Sequence, residues 1–281
     1  MQKLQDRVTQ QWFIIRGRRI EPNDVPWLIG PFGNIGGIGG GFIDQLAEKE
    51  GLSVKRNGES SGLIPSIGDL NFSELELSRL SKSVIDFYEN TADYELALSV
   101  RWNPVFRTIG VLTNKLFSSR INQLNIPTQN LDDTESLTSE IVSLVEPASS
   151  ETRYTIWFRT IRSSGQVVYS GVYGTCILPS GKTCIKAAFP LPNGNATVLM
   201  APRVGSNGEL VLESSGKDFG DAGFYFLLED SRGDLWSQFI RSFRDRLTIH
   251  AEGDHLLAEQ TLTLFKLRVV TFTYRIVPKE S

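Results

Sequence analysis

From residue 152 to residue 277, runs rich in Val, Ile, Thr, Tyr, Phe and Trp alternate with clusters of Gly, Pro, Asn, Ser and Asp. That punctuation is the pattern of successive β-strands. It predicts strands near 153–162, 166–177, 183–189, 195–203, 209–214, 223–229, 235–250, 255–265 and 268–277. The links between them are short, as at Ser163-Ser164-Gly165, Pro179-Ser180-Gly181, Ser206-Asn207-Gly208 and Ser231-Arg232-Gly233. A parallel crossover needs a dozen residues or more, so links this short predict antiparallel neighbours. Repeated along the chain, they predict an up-and-down closed barrel or a strongly curved sheet.

The texture changes near residue 150, at the turn-like stretch from Glu146 to Glu151. Before it, helices are predicted over 41–50, stopped by Gly51, and over 73–90, where Leu77, Leu80, Val84, Ile85 and Phe87 recur at helical spacing. Asn71 and Ser73 are candidate N-caps of the latter. A third helix is predicted over 106–124, and strands over 94–101 and 138–145. The expectation is an α+β chain. Residues 1–150 form a mainly helical segment with a glycine-rich loop at 27–43, packed on an antiparallel barrel or curved sheet over 151–281. In strand pattern the second part resembles lipocalin-like or helix-grip barrels, a likeness that bears on function only by analogy.

Composition narrows the function classes. The chain has 281 residues, 40% hydrophobic and 22% charged, an ordinary globular balance. Its net charge of -3 gives no reason to expect nucleic acid. The first residues are too polar for a signal peptide, and no run is long and apolar enough for a spanning helix. The expected location is therefore cytoplasmic. Two cysteines, Cys176 and Cys184, are too few for a disulfide framework. A turn centred on Ser180 would set them opposite each other, and a reduced pair is expected.

Candidate chemistry lies where polar residues interrupt apolar strand faces. On 235–250, Arg241 and Asp245 fall among Leu235, Phe239, Phe243, Leu247 and Ile249. A guanidinium turned inward requires a partner, either a carboxylate of the protein or the acidic head of a ligand. Trp157 and Arg159 share a face on one strand, and Tyr169 and Tyr173 on the next. Together these six residues would make a pocket with aromatic walls and a cationic floor.

Other motifs carry less. His250 and His255 bracket a polar hairpin tip with Glu252 and Asp254; a zinc-compatible set is conceivable there, but a solvated turn is the simpler reading. Neither metal nor cofactor is expected. The uncharged stretch 27–43 (WLIGPFGNIGGIGGGFI) lacks the Lys-Ser/Thr pair of a phosphate-binding loop. It reads as a linker, an apolar flap or a segment that meets a membrane surface.

Three functions remain open. The first is binding of a hydrophobic, anionic small molecule in the barrel by Trp157, Arg159, Tyr169, Tyr173, Arg241 and Asp245. The second is a biosynthetic enzyme of cyclase or isomerase type acting inside the barrel, with Asp245, Tyr169 and Arg241 in acid–base or electrostatic roles. The third is a membrane-peripheral or protein-interaction module led by residues 27–43.

Overall fold

The computed structural model describes residues 17–33, 40–58, 61–104, 106, 131–168 and 170–279. Among these, fourteen strands join one sheet: β1 (Arg18–Ile20), β2 (Ser53–Arg56), β3 (Tyr94–Trp102), β4 (Leu131–Val145), β5 (Thr152–Ile161), β6 (Gly171–Ile177), β7 (Thr183–Leu191), β8 (Gly194–Val204), β9 (Leu210–Glu213), β10 (Phe224–Glu229), β11 (Leu235–Phe239), β12 (Phe243–Glu252), β13 (His255–Leu264) and β14 (Leu267–Pro278). Three α-helices accompany them: α1 (Gly40–Glu50), α2 (Glu74–Arg79) and α3 (Lys82–Glu89).

Ten strands close into a barrel in the order β8-β7-β6-β5-β4-β3-β14-β13-β12-β9, and β9 pairs back to β8. Every one of these pairings is antiparallel. Closure leaves these strands without an open edge. It depends on β8, whose eleven residues pair with β7 on one edge and with two strands on the other. Gly194–Val198 pairs with β10, and Ala201–Val204 pairs with β9. The sheet therefore forks at β8, and β10, β11 and β1 run off as a side branch. Gly194 permits the fork, since a Cβ there would lie 2.0 Å from the Leu227 carbonyl oxygen.

This architecture corrects the expected α+β class with a mostly helical first half. Among the described residues, strands occupy 51% and helices 16%. Two barrel staves, β3 and β4, precede residue 150. The alternation at Tyr94, Leu96, Leu98 and Val100 buries one face of β3 completely, as a stave requires. The helix predicted over 73–90 is two helices. Ser73 caps α2 through a full capping box with Glu76, and the chain turns extended at Leu80 before α3 starts. The break frees the Ser81 amide to donate to the Gly208 carbonyl in the β8–β9 turn, at 3.2 Å. The helix predicted over 106–124 lies outside the described residues except at its edge.

The residues from 61 to 93 cap the barrel end where β3 begins. Val84, Phe87 and Tyr88 of α3 are buried in the same core as the inward faces of the staves. Two sets of contacts hold the segments of this cap to one another. The amides of Leu63 and Ile64 donate to the Tyr88 carbonyl, at 2.9 and 3.4 Å. Glu89 accepts from the Ile67 amide at 2.7 Å. A separate apolar cluster lies outside the barrel wall, where Ile20, Val25, Trp27 and Leu28 pack on Leu178, Cys184, Leu199 and Tyr225. Trp27 and Leu28, the start of the expected apolar flap, are thus buried; residues 34–39 lie outside the described residues.

Gly62 packs against the last turn of α3, where an added Cβ would sit 2.3 Å from the carbonyl oxygens of both Tyr88 and Glu89. Gly62→Ala is expected to cost about 1–3 kcal/mol as an overpacking substitution. Urea unfolding measures it, and an unchanged midpoint would contradict this account of the cap.

Candidate functional site

The barrel holds a cavity of about 320 Å³, bounded by staves, by α3 and by the side branch. Its walls are mainly aliphatic and aromatic, with Phe87, Tyr88, Phe189, Met200, Phe224 and Leu262 among them. Small-molecule sites commonly span ~300–1,000 Å³ with apolar walls and a few placed polar groups.

Those polar groups form two sets. The first centres on Arg159, which alternation on β5 turns inward with Trp157. Arg159 is 4% exposed. Its guanidinium carbon lies 3.8 Å from the centroid of the Trp157 ring, and Nη2 donates to the Tyr173 hydroxyl at 3.2 Å. It also hydrogen-bonds the Tyr274 hydroxyl. A desolvated cation gains from a ring face and from hydroxyl dipoles. Trp157 is itself fixed: Nε1 donates to Ser139 Oγ at 2.9 Å, and its ring meets those of Tyr173 and Phe87 edge to face. Gly171 stands opposite Trp157 in the β5–β6 register, where a Cβ would be 2.9 Å from the Phe189 ring. A side chain there would crowd the ring that completes the aromatic wall.

The second set centres on Asp245 of β12, 5% exposed. Its Oδ2 accepts from Gln260 Nε2 at 2.7 Å. Its Oδ1 is buried with no hydrogen-bond partner among the described residues. Burial pushes the Asp245 carboxyl up to about 7, with the Gln260 bond pulling weakly the other way. The phenol of Tyr274 is pushed up to about 12 by burial, against the pull of Arg159. Tyr173 is raised for the same reason. The cavity therefore offers a fixed cation on one stave and a carboxyl near half-protonation at neutral pH on another.

Trp157, Arg159, Tyr173 and Asp245 of the sequence-predicted set meet around this cavity. Tyr169 lies outside the described residues. Arg241 is not among them. It sits in the turn between β11 and β12, its side chain 70% exposed, paired with Asp218 at 2.7 Å. The expected strand 235–250 is broken there, with the Phe243 amide donating to the Ile240 carbonyl at 3.1 Å. No Gly, Pro or Asn marks residues 240–242, so the alternation runs through the turn unbroken in the sequence. Gln260 and Tyr274, outside the set expected from the sequence, also line the cavity. Gln260 interrupts Leu256, Ala258, Leu262 and Leu264 in the way Arg159 interrupts its own strand.

The other motifs fall elsewhere. His250 stands opposite Leu257 rather than His255, because the β12–β13 turn is two residues long and pairs Glu252 with His255. Cys176 and Cys184 are opposite each other as free thiols, pushed up to about 11 and about 12 by burial.

The chain is 25% identical over 228 residues to a protein of Bacillus subtilis (strain 168) named uncharacterized membrane protein YndJ. The match takes in 80% of this chain but only 40% of that relative's length. No family model matches the chain. No solved structure matches it. The cytoplasmic location expected from the sequence is corrected by this likeness to a membrane protein. No helix among the described residues is long and apolar enough to cross a membrane, which says nothing of strands.

The raised Asp245 carboxyl makes stability depend on pH. Below about pH 4 the group is protonated whether the chain is folded or not. Between about pH 4 and about pH 7 the unfolded chain releases the proton that the folded one keeps, so rising pH favours unfolding. Asp245→Asn is expected to remove this slope and to be the more stable form at pH 8, by on the order of a few kcal/mol. Denaturant unfolding across that range measures it; parallel curves for the two proteins would contradict the assignment.

Proposed function

We propose that the barrel binds a hydrophobic small molecule with an acidic head in its internal cavity. The observation that carries this reading is Arg159, a buried guanidinium on the cavity wall, set against the Trp157 ring face and bonded to the Tyr173 and Tyr274 hydroxyls. An acidic head entering the cavity could accept two hydrogen bonds from the guanidinium fork. The apolar wall would take the rest of the ligand, and Asp245 would meet a hydroxyl or second acidic group on it. The likeness to a protein named for the membrane favours a lipid-like ligand.

A second reading, an isomerase- or cyclase-type enzyme, draws on the Asp245 carboxyl alone. A group poised near neutral pH can give and take a proton. Recovery of a bound compound chemically unchanged after prolonged incubation favours binding; a product in multiple turnovers favours the enzyme.

Titration with a fluorescent fatty acid and with the matching fatty alcohol tests the proposal. Arg159→Met is expected to weaken binding of the acid about tenfold or more and to leave the alcohol within about twofold. Ala187→Phe, which fills the cavity from β7, is expected to weaken both. Equal losses for acid and alcohol in Arg159→Met would remove the acidic head from the proposal. Unchanged binding in Ala187→Phe would place the ligand outside the barrel.

A further inference from the structure

The β13–β14 hairpin turns in two residues, Phe265 and Lys266, closed by the pair Leu264 and Leu267. Both turn residues are left-handed, with φ of 50° and 67°. A two-residue turn with positive φ at both positions ordinarily takes Asn-Gly, because a Cβ is unfavourable there. This chain instead places a bulky aromatic and a lysine at the tip. Phe265 is 73% exposed and Leu267 59%, so neither gains burial in return. The tip is also held in position: the Phe265 amide donates to the Ser242 carbonyl of the β11–β12 turn at 2.9 Å.

Two apolar side chains, Phe265 and Leu267, are thus presented to solvent, the first on a backbone that disfavours it. Their neighbours Lys266 and Arg268 are exposed as well. Between residues 260 and 270 the sequence carries Lys266 and Arg268 and no acidic residue. Apolar side chains that enter an acyl layer beside cations that meet anionic headgroups are what an interfacial anchor requires. The other exposed large apolar residues described, Leu75, Leu77 and Ile177, lie on α2 and beside the β6–β7 turn, at the opposite end of the barrel.

We propose that this hairpin tip docks the barrel on an anionic lipid bilayer, with Phe265 and Leu267 entering the interface and Lys266 and Arg268 meeting the headgroups. The inference is independent of what the cavity binds.

Co-sedimentation with vesicles containing phosphatidylglycerol, against vesicles of phosphatidylcholine alone, tests it. The whole chain is expected to bind the anionic vesicles more strongly and to be released by salt. The double variant Phe265→Asn, Lys266→Gly installs the turn's preferred residues, so it is expected to melt no lower than the parent while losing about tenfold or more in vesicle affinity. Ile177→Ser, at the other end, is expected to bind as the parent does. Phe265→Trp is expected to shift its emission to the blue on anionic vesicles. Failure of the parent to bind, equal binding by the double variant, or equal loss in Ile177→Ser would each overturn the proposal. So would concentration-dependent self-association that the double variant abolishes without any vesicle binding, since a second copy would then cover the tip.

Discussion

A guanidinium inside an apolar barrel is the constraint around which the interior is arranged. Taking such a charge out of water costs several kcal/mol unless nearby groups answer it. Here the answer is spread over the Trp157 face, the Tyr173 hydroxyl and the Tyr274 hydroxyl, contributed by β5, β6 and β14. Each of those groups is placed in turn by its own neighbours. Ser139 on β4 orients Trp157, and Phe87 on α3 packs against its ring. One side chain thus draws together several staves and the helical cap. The removal of any partner is felt by the others, as in any buried polar network.

The barrel makes that arrangement possible because it is closed but not uniform. Where β8 pairs with β9 the wall is continuous. Where β8 pairs with β10 instead, the sheet leaves the circle, and Phe224, Phe226 and Phe243 pack into the gap with ring centroids 4.9 and 4.7 Å apart. Asp245 lies beside this gap, its backbone joined to Ser214 in both directions, at 2.9 and 2.7 Å. The polar groups of the cavity therefore stand on regular strands, which fix side chains more tightly than loops do. The irregular region beside Asp245 is built from aromatic rings.

Much of this architecture is legible in the residues, within clear limits. Strand positions after residue 150 follow from alternation and from turn chemistry, and β3 announces itself by Tyr94, Leu96, Leu98 and Val100. What alternation cannot convey is which distant strands pair, so the place of β3 and β4 in the barrel and the fork at β8 stayed hidden. The helical weight of the first half exceeds what forms for the same reason: apolar spacing in 73–90 is genuine, but the docking of Ser81 on Gly208 that splits it is a tertiary contact. In the site, Arg159 and Asp245 stand out as polar interruptions of apolar faces. Arg241 has the same signature and lies in solvent, since a turn built without Gly, Pro or Asn is invisible to that rule. Phe87 and Tyr88 reach the cavity from a helix whose docking no local pattern encodes.

The most direct test of a ligand-holding interior is mass spectrometry of the purified whole chain under native and denaturing conditions, before and after exposure to a mixture of fatty acids. The account predicts a folded species carrying one small hydrophobic acid, lost on denaturation and lost from the folded protein when Arg159 is replaced. A folded chain that stays at its own mass even after exposure to the acids would contradict it.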